Sequence, residues 1–90
     1  MDKYVIERHI EGIGSFSQEQ LKAASAKSNE VLDQLGDGIS WSHSHVTENQ
    51  TYCIYYAESV DIILKHSEIT GFPANKITKV VCEIDPTTGH

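Results

Sequence analysis

The stretch Ile39-Ser-Trp-Ser-His-Ser-His-Val-Thr47, Glu48-Asn-Gln50, Thr51-Tyr-Cys-Ile-Tyr-Tyr-Ala57 decides the fold. Its first part alternates large with small residues, the period of a strand. Its last part is rich in β-branched and aromatic side chains, which suit a pleated, half-buried surface. Between them Glu48-Asn-Gln50 reads as a tight turn. A connection this short permits only an antiparallel hairpin.

Each side of the hairpin carries one helix and one strand. Upstream, Leu21, Ala24, Ser28, Val31, Leu32 and Leu35 recur at helical spacing and form one face to bury. Ser17-Gln-Glu-Gln20 has the S-x-x-Q form of a capping box at the start of that helix. Gly36 stops it, and Asp37-Gly38 turns the chain. Gly12 and Gly14 close a strand over residues 3–10, Lys-Tyr-Val-Ile-Glu-Arg-His-Ile. Downstream, Ser59 predicts an N-cap, with Asp61 in the positive first turn. Val60, Ile63, Leu64 and Ser67 lie along one face of this second helix, which Gly71 and Pro73 end. Residues 76–84 predict the last strand, closed by Asp85-Pro86. The order is β-α-β-β-α-β, the split pattern of an α+β ferredoxin-like sandwich. Right-handed crossovers set the antiparallel sheet in the order 4-1-3-2, with both helices on one face. The chain reads as a single domain over 1–90, with an ordered core at about 3–85 and a frayed tail at 86–90.

Ninety residues with 39% apolar content support one small core. Thirteen Asp and Glu against seven Lys and Arg leave a net charge of −6. With no basic cluster, nucleic acid is not expected as a partner. No apolar run approaches the ~20 residues a membrane span needs, so no membrane partner is expected either. The N-terminal residues lack the pattern of a signal peptide. Together with only two cysteines, this predicts a cytoplasmic protein, and the absence of any C-x-x-C excludes zinc-ribbon and thioredoxin readings. Cys53 and Cys82 fall on strands with the first strand between them, roughly 9.5 Å apart. That exceeds the ~7 Å limit for a disulfide, so both are expected to be reduced, buried packing residues.

Helices cover only one face of such a sheet. With a two-residue loop at Asn49-Gln50, Tyr52, Ile54 and Tyr56 share the other face with Trp41, His43 and His45. A three-residue loop would swap the pairing. A surface this aromatic calls for a cover, and a homodimer packed sheet to sheet supplies one.

The residues resemble a small ferredoxin-like nickel-binding protein family, long filed as domain of unknown function 4242. The resemblance spans roughly residues 3–85. Its pieces are Tyr4-Val-Ile-Glu-Arg8, Trp41 with Ser44 and Val46, and Thr51-Tyr-Cys-Ile-Tyr-Tyr-Ala57. Lys65-His66, Gly71-Phe-Pro73 and Lys76-Ile-Thr-Lys-Val80 follow in order. At the position of His45 the family commonly carries a tyrosine, so the His43-Ser-His45 pair looks particular to this chain. The resemblance implies a dimer that binds Ni²⁺ or a similar divalent metal ion at surface histidines and carboxylates, with sequestration or buffering as its role. It implies no catalytic reaction.

Five histidines in ninety residues bear on that expectation. His43 and His45 stand at i and i+2 on a strand, so they share a face roughly 6.5–7 Å apart and can converge on one ion. Imidazole suits Ni, Cu and Zn alike. The same pair would also serve as interface or exposed polar groups bonded to Tyr or Ser. His66 matches a family position in the second helix. It is a candidate ligand, or a structural histidine bonded to a backbone carbonyl or Tyr55. Glu7 and His9 share a face of the central first strand and would offer one oxygen and one nitrogen. The plainer alternatives there are a Glu7–Lys79 salt bridge or Arg8 crossing the sheet.

The candidate metal residues are thus His43, His45, His66, His9 and Glu7. An alternative function is a small cofactor-free enzyme of monooxygenase, dehydratase or cyclase type. There His66 would be a general base beside an apolar cleft lined by Tyr52, Tyr55 or Trp41. A third reading is an interaction module whose interface histidines sense pH.

Overall fold

The computed structural model describes all residues, 1–90. Strands β1 (Asp2–His9), β2 (Ile39–Val46), β3 (Gln50–Ala57) and β4 (Lys76–Lys79) form one sheet. Helices α1 (Gln18–Leu35) and α2 (Val60–Thr70) provide the crossovers. The spatial order is β2-β3-β1-β4, with every pairing antiparallel. This is the expected 4-1-3-2 order read from the other edge.

The capping box forms as the sequence predicts. The Ser17 hydroxyl accepts from the Gln20 amide at 3.1 Å, and Gln20 Oε1 accepts from the Ser17 amide at 2.8 Å. Two orphan N–H groups are thereby satisfied at the start of α1. Ser59 occupies the N-cap of α2, but its side chain makes no capping bond. At the other end Gly71 takes φ 79°, a left-handed conformation suited to glycine, and its amide reaches back to the Ser67 carbonyl.

The core lies between sheet and helices. Tyr4, Ile6, Ile39, Cys53, Tyr55, Ala57 and Ile63 make one buried cluster, with Leu32, Leu35 and Trp41 packed against it. On α2 the inward face differs from the expected one. Ile63, His66 and Thr70 are buried, while Val60 and Leu64 are exposed. Ile63 anchors both candidate stripes, but only the stripe through His66 finds partners on α1 and β3. Burial of this polar stripe is eased by hydrogen bonds: Thr70 Oγ1 donates to the His66 carbonyl at 2.9 Å, and His66 Nε2 lies 3.1 Å from Ser28 Oγ.

The hairpin register adjusts two expectations. Val46 pairs with Thr51, His45 with Tyr52 and His43 with Ile54, so the turn lies one residue earlier than expected and each partner two residues earlier along β3. The parity is unchanged, and His43, His45, Tyr52, Ile54 and Tyr56 do share the open face. Trp41 does not join them. A β-bulge between Trp41 and His43 places Trp41 opposite Tyr55, on the helix side. Ser42 is the extra residue that shifts the pleat.

The last strand is shorter than expected, ending at Lys79. The Val80 amide still donates to the Lys3 carbonyl at 2.8 Å, but the chain then leaves the sheet, so Cys82 is exposed rather than buried, whereas Cys53 is buried as expected. Both cysteines are free. Pro86–Gly89 form a 3-10 turn capped by Asp85.

Candidate functional site

Two separate regions hold the chemistry, one on each face of the sheet. On the open face, His43 and His45 project from β2, an edge strand. Their ring centroids are 5.2 Å apart and the planes nearly perpendicular, at 88°. Both residues are exposed. Ser42 Oγ lies 2.9 Å from His43 Nδ1, which leaves His43 Nε2 free for a ligand. Metal–nitrogen bonds of about 2 Å place two adjacent imidazole centroids about 4.5–5.5 Å apart, and the spacing of this pair falls in that range.

The other predicted metal residues do not gather around this pair. Glu7 and His9 lie on the open face of β1, with β3 between them and β2. Glu7 Oε1 accepts from Gln50 Nε2 at 3.2 Å. His9 Nε2 is 3.3 Å from Glu11 Oε2. Lys79, a sequence-level candidate partner for Glu7, instead pairs with Asp2 at 3.3 Å. His66 is on the opposite side of the sheet. Within one chain no three His, Cys, Asp or Glu side chains come together as a metal shell.

On the helix face, a cleft of about 280 Å³ opens between the sheet and α1. Ile13, Phe16 and Leu21 form part of its wall, with Trp41 and Val46 across from them. Trp41 and Tyr55 stack at 6.3 Å, with their planes 16° apart. Tyr55 and Trp41 thus line a cleft as the sequence suggests, whereas Tyr52 is on the far side of the sheet.

Arg8 also lines the cleft, and it is only 3% exposed. Strand alternation puts it on the helix face, in line with Tyr4 and Ile6. Its Nη1 donates to Ser67 Oγ at 3.0 Å and to the carbonyls of Phe72 and Pro73 at 3.3 and 2.9 Å. Its guanidinium sits 5.9 Å from the Tyr55 ring centroid. Nη2 is buried without a hydrogen-bond partner, and no carboxylate pairs with the charge.

His66 lies behind this cleft, 1% exposed. Its Nε2 is 3.1 Å from Ser28 Oγ, which is in turn 3.4 Å from Tyr55 Oη. Ser28 and Tyr55 line the cleft and His66 does not. Its side-chain partner is Ser28 rather than Tyr55, and Nδ1 is buried without a hydrogen-bond partner. Burial, reinforced by the Arg8 charge, pushes its pKa down to about 4 despite the opposing contact with Ser28. The imidazole is therefore neutral near pH 7. Burial also raises the Tyr55 phenol above its ordinary value, against the opposing pull of Ser28 and Arg8.

Ser28 as the partner of His66 could have been found in the sequence, because it interrupts an otherwise aliphatic stripe. An arginine at an inward position of a central strand was an equally available signal. The inward turn of Trp41 carried no signal, since a bulge depends on the whole ladder.

The family described as "Nickel responsive protein SCO4226-like" matches residues 4–80. Among solved structures, the crystal structure of SCO4226 from Streptomyces coelicolor A3(2) is similar, with a TM-score of 0.76 and 15% identity. The similarity covers 91% of this chain and 99% of that one. At this identity it shows the shared fold alone. Comparison with curated proteins finds no match.

Proposed function

The chain belongs to the nickel responsive SCO4226-like family, and on that premise we propose that it binds a late first-row divalent ion, nickel first, through His43 and His45. The observation that carries this reading is the exposed pair with ring centroids 5.2 Å apart. Two imidazoles fill only part of a coordination shell. Nickel accepts further nitrogen and oxygen donors, and water or a second copy of the chain supplies them. A dimer packed through the open face would bring a second His43–His45 pair close to the first. Tyr52 and Tyr56, 37% and 38% exposed on that face, are the surface such a packing would bury.

The role that follows is holding or buffering the ion. Exposed ligands on an edge strand impose little geometry, and selectivity among late first-row ions then follows intrinsic affinity. His66 serves the fold in this reading. A neutral imidazole with a pKa of about 4, bonded to Ser28 and set behind the cleft wall, is a poor general base at neutral pH.

Calorimetric titration of the metal-stripped protein with Ni²⁺, Zn²⁺, Cu²⁺ and Co²⁺ tests the assignment. The variant His43→Ala/His45→Ala should lose Ni²⁺ affinity by about tenfold or more, while His66→Ala and His9→Ala keep it. Unchanged binding in the double variant would remove the pair as the site. Sedimentation with and without Ni²⁺ reads the dimer in the same samples.

A further inference from the structure

The cleft on the helix face has no part in the metal reading, yet it has the features of a built ligand site. Its walls are aliphatic and aromatic, and one charged residue lines it, Arg8. Arg8 is 3% exposed and its Nη2 is buried without a partner. An arginine stays ionised in proteins, and a buried charge without a counter-ion is among the most costly arrangements a fold can hold. The chain carries thirteen Asp and Glu residues, and none of them lines the cleft. In a chain with a net charge of −6, this pocket is locally positive. The second cation nearby is Lys27, whose ammonium lies 5.7 Å from the ring centroid of Phe72, another lining residue.

From these observations we propose that the cleft between the sheet and α1 binds a small apolar monocarboxylate. Its anionic end is held at Arg8 and its hydrocarbon part packs against Trp41, Leu21 and Phe16. The volume of about 280 Å³ sits at the lower edge of small-molecule sites, which suits a short-chain or single-ring acid. Guanidinium and carboxylate match in shape and charge, and the pairing supplies the partner that Nη2 lacks. The carbonyls of Phe72 and Pro73 and the hydroxyl of Ser67 hold Nη1, so the fork is oriented before a ligand arrives. A neutral ligand of equal shape would leave the charge unanswered, so discrimination rests on the carboxylate.

The test uses the full-length protein with octanoate and phenylacetate, their amides, and inorganic phosphate as probes. Backbone NMR shifts and thermal melting report binding. Both carboxylates are expected to bind and to perturb resonances along α1 and β3, with the amides weaker by about tenfold or more. Ala24→Trp fills the cleft from α1 while keeping the Arg8 side chain and is expected to abolish binding. Arg8→Met is expected to abolish the preference for carboxylate over amide. If Arg8→Met does not fold, Ala24→Trp and the carboxylate–amide comparison still decide. Equal binding of acid and amide, binding that survives Ala24→Trp, phosphate binding as strong as octanoate, or no binding of either acid would each overturn the proposal. Nickel affinity in Ala24→Trp should stay at the wild-type value, which separates this site from the metal pair.

Discussion

His66 and the His43–His45 pair stand on opposite faces of one four-stranded sheet, and the contrast shows how surroundings decide what an imidazole does. On the helix face, His66 is 1% exposed, beside Arg8 and bonded to Ser28. It is held neutral and spent on packing. On the open face, His43 and His45 are exposed and lie 5.2 Å apart. Their free nitrogens are available to a ligand. The helix face concentrates stability, and the open face leaves groups unspent. A histidine count alone would treat all of them as equal candidates.

The strongest way to break that contrast is to compare truncations on the two faces. Ile63 is fully buried in the core cluster, so Ile63→Ala should lower unfolding free energy by about 2–5 kcal/mol in urea. Tyr56→Ala, on the open face, should cost well under half of that at a protein concentration where the chain is monomeric. Equal losses would mean that the open face carries core-like packing within a single chain.

A second comparison uses pH. The folded pKa of His66, about 4, lies below the ordinary 6.5. Between those values the unfolded chain binds more protons than the folded one, so stability falls as pH drops from about 6.5 towards 4. The loss approaches about 3 kcal/mol across that window. His66→Leu should flatten this component of a denaturation series, and His43→Ala/His45→Ala should retain it. A slope that survives His66→Leu would assign it elsewhere.

The smallest effect sharpens the helix side. Ser17→Ala removes one half of the α1 capping box and should cost about 1 kcal/mol. Because α1 forms one wall of the cleft, amide exchange should quicken in its first turn and leave β2 unchanged.

The parts of this fold that depend on local chemistry were legible in the sequence. The hairpin, the Ser17 box and the Gly71 stop each rest on residues a few positions apart, and the strand order then follows from chirality. The parts that depend on distant partners were not. On α2, Val60 and Leu64 look like core residues in the sequence, whereas His66 and Thr70 are the buried ones, His66 against Ser28 of α1 and Tyr55 of β3. The end of β4 was placed too late because Val80, Val81 and Cys82 look like strand residues. Pairing with β1 stops at Lys79, opposite Tyr4, and one more bond follows, from the Val80 amide to the Lys3 carbonyl at 2.8 Å, before the chain departs although β1 runs on to Asp2. The five proposed metal residues shared a chemistry but not a place. Only His43 and His45, fixed by strand geometry at i and i+2, were brought together.

The extra residue at Ser42 makes the length of β2 carry information. It lets Trp41 turn to the cleft while His43 and His45 remain outside. In a regular ladder of the same length, residues 41, 43 and 45 would all share one side. A related chain lacking the bulge could therefore keep every residue type in this segment and yet offer its imidazoles to the opposite side of the sheet. Within the family, matching histidines column by column is thus not enough to transfer a site. The spacing between the tryptophan and the first histidine has to be compared as well.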